Sequence, residues 1–546
     1  MPQHDYVRYF PFPTLRPSQT AAIEFALDAY ESGKRSVVLE LATGVGKSAI
    51  GICIARYLDI HLPVKERDEE GMPLTGAYFL STQKLLVDQY VRDFNSIVKT
   101  IKSSSNYRCK HYPDNSCSQS KQLLLKLGKQ VAGTDFAKTC KNECTYSIEK
   151  QDFIESPISI TNFSYFLAET TYAGKLTPRA LLVVDECHNT ESELGKFIEV
   201  SFSEKFARDV LKCKIPKLDT QEAVLDWVKG SYRKAVNKYV RELEKNLVKL
   251  SENIEGHNEF SKQYEMLEKH TGKIDQFIEV YNQNNWVMNV AYPQEGNRRG
   301  ARKFEFKPID LGPYSQKVLL RNGARLLMMS ATVVDHDVFC SSIGLKPEEV
   351  SYLRIGSPFP LENRPINYIP VGAMGKDNIE KTLPVMAEAV RMILEKHPEE
   401  KGIIHTTNFR IAKYLMENIR TNRFLTHESG NRDEILKLHL TCNEPTVLLS
   451  PSMMEGVDLA DAASRFQILC KVPFPYLGDL VISKRMEKNK MWYPYTTAKS
   501  VIQSFGRSIR NESDYAVSYI LDSDWERFFY RNAQMFPEDF RKSIKT

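Results

Sequence analysis

A short run of small residues ending in a lysine and a serine could hold the phosphates of a nucleoside triphosphate. The run consists of Ala42, Thr43, Gly44, Val45, Gly46, Lys47 and Ser48. The apolar segment 37–39 precedes it, so a strand would stop, turn tightly and open a helix whose backbone N–H groups face the phosphates. Lys47 would reach the terminal phosphates and Ser48 would bind Mg²⁺. Leu41 stands where the strict pattern has glycine, so this is a relaxed form of the loop.

Two adjacent carboxylates follow the apolar run 181–184, which predicts a buried parallel strand. Active sites of α/β proteins lie at the carboxyl ends of such strands. Asp185 would orient Mg²⁺ through its water shell, and Glu186 would polarise the water that attacks the γ-phosphate. A solvated acidic helix start is the alternative for a single Asp-Glu pair. The order of the two elements along the chain favours the nucleotide site.

Further strand-like segments follow downstream, at 326–329, 402–404, 446–449 and 466–469. Because the strands at 402–404, 446–449 and 466–469 alternate with helical stretches, they predict a second parallel domain and an α/β fold class. Gln503 precedes two arginines, Arg507 and Arg510, which lie three residues apart. On one helix both would project from the same face and could contact a transferring phosphate. A surface helix that happens to carry two arginines is the alternative.

The composition is typical of a soluble globular chain of three or four domains. The 546 residues are 42% hydrophobic and 26% charged, and the net charge of +5 is too small on this length to indicate a nucleic-acid partner. No apolar run approaches the ~20 residues that span a bilayer, and the N-terminus lacks a signal-peptide core. We therefore expect a cytoplasmic protein with no membrane partner.

Four of the ten cysteines are clustered in one polar segment, whereas the other six are scattered singly. Cys109, Cys117, Cys140 and Cys144 have the spacing C-x7-C-x22-C-x3-C. Four thiolates suit either tetrahedral zinc or a 4Fe-4S cluster, and the spacing alone does not separate the two. Chance clustering of inert thiols is the third alternative.

In this order the motifs resemble the XPD/DinG family of superfamily 2 DNA helicases, which carry an iron-sulfur cluster, and the resemblance spans nearly the whole chain. Residues 10–13 with Arg16 and Gln19 look like the opening motif, and residues 42–48 and 81–83 look like motifs I and Ia. Residues 185–189 are similar to the DEAH box, 330–332 to motif III and 405–408 to motif IV. Residues 455–458 with 473–475 are similar to motif V, and 503–510 match motif VI.

The resemblance implies an ATP and Mg²⁺ site between two RecA-like parallel-sheet domains. Arg16 and Gln19 would contact the nucleotide, with the glutamine reading adenine, and residues 43–48 and Asp458 would line it. The implied catalytic residues come together when the two domains close. They are Lys47, Asp185, Glu186, Gln503, Arg507 and Arg510.

The resemblance also assigns two insertions. The four cysteines fall between motifs Ia and II, where the family inserts its cluster domain, and this placement favours a 4Fe-4S cluster over zinc. A lysine-rich stretch with Val236, Tyr239, Leu243, Leu247 and Leu250 at helical spacing resembles the mainly helical arch. The implied boundaries are 1–100, 151–194 and 306–345 for motor domain 1, 101–150 for the cluster insertion, 195–305 for the arch and 346–546 for motor domain 2.

The chain departs from the family pattern at Leu41, at Cys187 in place of alanine, and at Thr145 in place of proline. None of these changes removes a catalytic group. The seven residues between the first two cysteines are few for the family, so Cys117 is the least secure of the four ligands. His111 is its nearest substitute.

The resemblance implies an ATP-dependent DNA helicase that travels 5′ to 3′ on single-stranded DNA and opens forked or tailed duplexes. It names no protein partner, and a monomer would suffice. The main alternative is a translocase that remodels complexes without useful unwinding. A non-enzymatic platform with a decayed motor, and a P-loop kinase or transporter ATPase, are the others. About 35 residues precede the P-loop strand, too few for a folded domain, so no exonuclease domain is predicted there.

Overall fold

Two seven-stranded parallel sheets form the framework of the chain. The structure is a computed structural model that describes residues 4–82, 84–121, 133–174, 176–249, 254–295, 298–427, 430–451, 459, 461–506, 508–509 and 513–545. The predicted α/β fold class with two parallel-sheet lobes is confirmed. Among the described residues, no helix has both the length and the apolar character to cross a membrane.

Residues 4–198 supply five strands of the first lobe and the helices beside them. The elements are α1 (Pro17–Glu31), β1 (Ser36–Leu41), α2 (Lys47–His61), β2 (Ala77–Ser81), α3 (Lys84–Phe94), β3 (Lys99–Thr100), α4 (Asp135–Asn142), α5 (Thr145–Glu155), β4 (Ile158–Asn162), α6 (Phe163–Ala168), β5 (Arg179–Asp185) and α7 (Thr190–Ile198). Both β1 and β5 are buried along their whole length, which explains the uninterrupted apolar runs in their sequences.

A separate unit with its own antiparallel sheet follows α7. Its elements are β6 (Val200–Ser203), α8 (Glu204–Asp209), α9 (Gln221–Trp227), α10 (Arg233–Lys249), α11 (Ile254–Val280), β7 (Trp286–Ala291), β8 (Gln294–Glu295), β9 (Arg298–Arg299) and β10 (Lys303–Pro308). The helix predicted from the apolar spacing is confirmed as α10, although Leu250 lies outside the described residues. The three-stranded sheet β6-β10-β7 was not predicted. We call residues 200–308 the insertion.

The chain then returns to the first lobe. Its elements are α12 (Gly312–Val318), β11 (Gly323–Ser330), α13 (His336–Ser342) and β12 (Val350–Ile355). The strand order of the first sheet is β12-β1-β11-β5-β2-β4-β3. The predicted domain boundary at 345/346 is therefore wrong, because β12 pairs with β1 from Ser36 to Leu41. As an edge strand β12 is only partly buried, so it lacks the continuous apolar run that marks the central strands.

The second lobe begins with β13. Its elements are β13 (Ile366–Gly372), α14 (Ile379–Lys396), β14 (Gly402–His405), α15 (Phe409–Asn418), β15 (Phe424–Thr426), α16 (Arg432–Thr441), β16 (Val447–Ser450), β17 (Phe466–Leu469), α17 (Leu480–Lys488), α18 (Trp492–Phe505), β18 (Val517–Asp522), α19 (Asp524–Asn532), α20 (Glu538–Ser543) and β19 (Ile544–Lys545). The strand order is β15-β16-β14-β17-β18-β13-β19, and every pairing is parallel.

Helix α18 ends earlier than the sequence predicted. Gly506 caps it by donating its N–H to the carbonyl of Ile502, and Ser508 and Ile509 lie outside the helix. The expectation that one helix runs on to residue 510 is therefore wrong, while Arg507 and Arg510 themselves lie outside the described residues.

Candidate functional site

A cleft of about 670 Å³ lies between the two lobes at the carboxyl ends of β1, β5 and β11. Predicted residues from both lobes line it, namely Thr43, Gly44, Lys47, Glu186, Thr332 and Gln503. Parallel α/β sheets place their ligand sites at this edge because the loops after several strands meet there. The structure thus brings these residues from distant parts of the chain to one surface.

The phosphate loop has the backbone that an anion site needs. Gly44 and Gly46 have φ angles of 88° and 90°, which are strained for residues that carry a Cβ. Helix α2 begins at Lys47, directly after Gly46, so its free N–H groups lie beside the loop. A Cβ on Gly44 would come within 2.3 Å of the Phe359 ring, and one on Gly46 within 2.5 Å of the Gln19 amide nitrogen. Only glycine fits at either position.

Two residues of the N-terminal motif hold this loop in place. The Arg16 guanidinium donates to the carbonyl oxygen of Gly44 at 2.7 Å, and Gln19 Nε2 donates to the carbonyl oxygen of Val45 at 3.0 Å. Gln19 Oε1 accepts the backbone N–H of Arg16 at 2.9 Å, which fixes the amide at the start of α1. Both residues therefore contact the phosphate loop, and adenine recognition by Gln19 stays a prediction.

Asp185 is buried at the end of β5 and shares a neighbour with Ser48. The Tyr90 hydroxyl donates to Asp185 Oδ2 at 2.8 Å and lies near the Ser48 hydroxyl. Burial and the neighbouring Glu186 carboxylate raise the pKa of Asp185 above its ordinary value. The two residues predicted to hold Mg²⁺ thus lie on either side of one phenol, and a divalent cation would supply the charge that a buried carboxylate needs.

Glu186 adopts a left-handed backbone, with φ 51° and ψ 47°. Its carboxylate lies 3.7 Å from Lys47 Nζ and 3.2 Å from His188 Nδ1. His188 Nδ1 also lies 2.7 Å from the hydroxyl of Ser330, at the end of β11. A non-glycine residue in this conformation is uncommon and typical of functional loops, where surrounding contacts fix a side chain for its task. Here the conformation places the carboxylate beside the phosphate loop.

The second lobe contributes to the cleft through the end of α18. Gln503 is buried and its amide donates to the Thr332 hydroxyl of the first lobe at 3.2 Å. Ile509 also lines the cleft. Three predicted residues, Asp458, Arg507 and Arg510, lie outside the described residues, so their roles stay predictions.

Sequence reasoning missed Phe359, which lies in the linker between β12 and β13. Its ring contacts Gly44 of the phosphate loop, and in the second lobe it clusters with Ile509 and Ala516. One aromatic ring therefore joins the two halves of the cleft. The only signal in the sequence is the turn Ser-Pro-Phe-Pro at 357–360, which lies in the segment 346–546 that the sequence assigned as a whole to the second lobe.

The four clustered cysteines line a single cavity of about 330 Å³, together with Lys110, Lys121 and Lys150. Burial raises the pKa of the Cys117 thiol to about 12 and that of Cys140 to about 11, with the neighbouring thiols adding to the shift. Such thiols would be held as thiolates only by a metal. Cys117 lies with the other three, whereas the His111 ring packs against Tyr112 and Phe136.

The spacing of the four sulfurs does not by itself choose between one zinc ion and a 4Fe-4S cluster. Zinc–sulfur bonds of about 2.3 Å in a tetrahedron hold every sulfur pair about 3.8 Å apart. Cys117 and Cys144 have sulfurs 3.6 Å apart, but no three of the four, all of them described, lie within 4.8 Å of one another. A cubane cluster keeps its ligands farther apart because four irons lie between them.

Comparisons with known proteins agree with this architecture. Residues 390–543 match the helicase C-terminal domain family, and residues 12–216 match the family described as type III restriction enzyme, res subunit. The chain also resembles a solved XPD helicase, with 14% identity, a TM-score of 0.62 and coverage of 96% of this chain and 98% of that one. For Xpd4 of S. tokodaii the values are 13%, 0.57, 97% and 99%.

Curated relatives are similarly distant in sequence. The ATP-dependent DNA helicase CHL1 of Debaryomyces hansenii is 23% identical over 33% of this chain and 27% of its own length. The regulator of telomere elongation helicase 1 homolog of Caenorhabditis elegans is 28% identical over 16% of this chain and 10% of its length. A probable ATP-dependent helicase of Methanocaldococcus jannaschii is 23% identical over 94% of this chain and 93% of its length. The chain thus spans about a quarter or less of the length of the first two of these relatives and nearly all of the length of the archaeal one.

Proposed function

We propose that this chain is an ATP-dependent DNA helicase of the XPD type, a proposal that its two helicase-family matches and its likeness to solved XPD helicases support. The observation that carries the proposal is the cleft between the lobes, where Lys47, Glu186 and Gln503 from three distant parts of the chain meet. A nucleotide site built from two lobes can couple hydrolysis to their relative motion. That coupling is the physical requirement for moving along a strand.

Each residue of the cleft has a distinct part in hydrolysis. Lys47 and the loop N–H groups bind the β- and γ-phosphates, while Ser48 and Asp185 would hold Mg²⁺. Glu186 orients the attacking water and accepts its proton, because its carboxylate lies beside Lys47 and so close to the γ-phosphate. Gln503 links this chemistry to the second lobe through Thr332. Arg507 and Arg510 neutralise the charge that develops on the transferring phosphoryl group.

The four cysteines around the second cavity would hold a 4Fe-4S cluster. The cluster would replace thiol protons with iron–thiolate bonds and tie the segment around Cys109 to α4 and α5. The part we propose for the cluster is therefore structural. It would make this unit beside the first lobe rigid, and it would take no redox part in ATP hydrolysis. The proposed substrate is single-stranded DNA with forked or tailed duplexes, travel is 5′ to 3′, and these two assignments rest on the family resemblance.

The first experiment compares the wild type with Lys47→Ala in two assays. ATP hydrolysis is measured with and without single-stranded DNA, and strand separation is measured on duplexes with either a 5′ or a 3′ tail. We expect DNA-stimulated hydrolysis and separation of the 5′-tailed duplex by the wild type, and loss of both in Lys47→Ala. Lys413→Ala is the control, because the Lys413 side chain is 76% exposed on the second lobe.

The outcomes separate the candidate functions. Stimulated hydrolysis with intact duplexes would replace the helicase with a single-strand translocase or remodelling ATPase. Separation of the 3′-tailed duplex alone would reverse the proposed polarity. A wild type that binds DNA without hydrolysing ATP would contradict an enzymatic function altogether.

The cluster has its own test, which does not depend on activity. The protein is purified anaerobically, and its absorption spectrum, iron and sulfide are measured beside those of a Cys140→Ser, Cys144→Ser variant. We expect about four irons and four sulfides per chain in the wild type and their loss in the variant. Cys213→Ser, outside the cavity, is the matched control. Stoichiometric zinc, or no metal, would contradict the cluster and leave the ATPase proposal unaffected.

A further inference from the structure

A buried polar cluster joins the two lobes on the helix that follows the catalytic loop. Glu191, in the first turn of α7, receives the Arg485 guanidinium at 2.7 Å and the Trp492 indole N–H at 2.9 Å. The Glu191 and Arg485 side chains are only 11% and 15% exposed, and Trp492 is 6% exposed. The guanidinium also lies 5.5 Å from the indole ring. We call these three residues the Glu191 clasp.

Arg485 ties the clasp to a third part of the chain. Its Nε donates to the carbonyl oxygen of Ile309 at 2.9 Å, and Nη2 donates to that of Pro308 at 3.3 Å. Both carbonyls lie where the insertion returns to the first lobe. Nearby, Asn289 of β7 donates to Asp479, the residue that caps α17, at 3.0 Å. Helix α17 is therefore held against the DEAH-box helix on one side and the base of the insertion on the other.

Helix α18 continues the contact into the catalytic loops. Lys499 donates to the carbonyl oxygen of His188 at 3.1 Å, and Gln503 donates to Thr332. Trp492, Lys499 and Gln503 are seven and four residues apart, so they share one helical face. The clasp and the hydrolysis site therefore lie along the same rigid helix, with the clasp at its first turn and the cleft at its last.

This arrangement restricts how the lobes can move. Separating α17 from α7 would leave the Glu191 carboxylate buried without its partners, which is strongly unfavourable. Moving the contacting parts together is less costly, because the ion pair and its hydrogen bonds stay intact. A displacement of α18 driven at the cleft would then carry α17 and the base of the insertion with it.

We propose that Arg485 and Glu191 are positioning residues that couple the nucleotide state of the cleft to the insertion at 200–308. This inference rests on the proposed function, since it requires that a nucleotide binds between the lobes. Neither residue touches the reacting atoms. Their part is to make the insertion respond when the contacts of Lys499 and Gln503 with the catalytic loops change.

Hydrogen–deuterium exchange tests the coupling without requiring hydrolysis. Exchange of the backbone amides in β7 and β10 is measured with and without a non-hydrolysable ATP analogue. In the wild type we expect the analogue to change exchange rates there at least about twofold, and in Arg485→Ala we expect no change. Lys484→Ala is the control, because Lys484 lies next to Arg485 on α17, is 48% exposed and pairs with Glu487. It should respond like the wild type.

Steady-state kinetics provides a second readout. In Arg485→Ala the base pairs separated per ATP hydrolysed should fall about tenfold, within the range found for coupled contact residues, while the KM for ATP stays within about twofold of the wild type. Arg485→Lys should recover part of the loss, since it keeps the charge but not the guanidinium fork. Glu191→Gln preserves the shape of the side chain and serves where the alanine variant does not fold.

The results distinguish this inference from the proposed function. A wild type that binds nucleotide and separates strands while β7 and β10 show no response to the analogue would overturn the inference alone. An unchanged response in both Arg485→Ala and Glu191→Gln would do the same. A wild type that never hydrolyses ATP would overturn the proposed function, while the exchange measurement would still report whether binding reaches the insertion.

Discussion

Replacing Glu186 with glutamine should stop ATP hydrolysis without weakening ATP binding. The carboxylate lies 3.7 Å from Lys47 Nζ and 3.2 Å from His188 Nδ1, so it lies beside the ammonium that we propose to bind the γ-phosphate. Glutamine has the same shape and keeps a hydrogen-bonding oxygen, but it cannot accept a proton from water. The strained backbone at this position is unaffected because only the terminal group changes.

The magnitudes follow from these contacts. Loss of a general base costs about 10²–10⁴ in rate. At 3.7 Å the attraction between the Lys47 and Glu186 charges is about 4 kcal/mol for an effective dielectric constant of ~20, and most of it is offset by the cost of desolvating the two charges. Glutamine releases Lys47 for the γ-phosphate and removes a repulsive negative charge beside it. ATP should therefore bind equally well or up to about tenfold more tightly.

Equilibrium binding of a fluorescent ATP analogue and single-turnover hydrolysis measure the two effects separately. Glu193→Gln is the matched control, because Glu193 lies on the adjoining helix α7 and pairs with Lys196 outside the cleft. It should leave both quantities within about twofold of the wild type. If hydrolysis by Glu186→Gln falls less than about tenfold, Glu186 is not the base. If binding weakens in parallel with hydrolysis, the residue acts in holding ATP.

Three further predictions concern groups around the cleft and within the second lobe. Burial and the Glu186 charge raise the pKa of Asp185, so Mg²⁺-dependent nucleotide binding should weaken as the pH falls towards 5, and Glu186→Gln should move that loss to lower pH in calorimetric titrations. Gly44→Ala should cost ATP affinity at least about tenfold, because a left-handed alanine costs about 1–2 kcal/mol and its methyl overlaps Phe359. Adding Phe359→Ala should restore the part due to overlap, and no recovery would show that the overlap is not the cause. Burial raises the pKa of Asp522 from 3.8 to about 6. The folded state therefore binds this proton more tightly, and the stabilisation is fully present below pH 3.8 and is lost as the pH rises through about 6. Relative to Asp522→Asn, the wild type should lose about 3 kcal/mol across this window in urea unfolding, and parallel curves would contradict the assignment.

The central parts of the fold were predictable because each carries a local signal. Strands β1 and β5 contain the apolar runs 37–39 and 180–184, since both faces of a central parallel strand are buried. Functional side chains that directly follow such runs must lie at one edge of a sheet. That reasoning correctly places Lys47 and Glu186 in one cleft.

The missed features depend on contacts between residues that are far apart in sequence. Strand β12 is an edge strand whose partner β1 lies more than 300 residues upstream, so nothing local assigns it to the first lobe. Phe359 follows β12 in the chain, so it reaches the phosphate loop because β12 lies in the first sheet. The antiparallel sheet of the insertion likewise joins β6 to β10 across about 100 residues, and these two strands alternate between buried and partly exposed positions.

The division of groups between the lobes has a functional consequence. Lys47, Asp185 and Glu186 all belong to the first lobe, so the groups that we propose to bind Mg²⁺ and activate water can assemble without the second lobe. The described contacts of the second lobe with the catalytic loops come instead from one face of α18, through Lys499 and Gln503. Substitutions in the first set should therefore abolish hydrolysis, whereas substitutions along α18 and in the Glu191 clasp should leave hydrolysis running while less of it is converted into movement. A motor of the proposed design would lose its coupling before its chemistry, and the ratio of base pairs separated to ATP hydrolysed measures that difference directly.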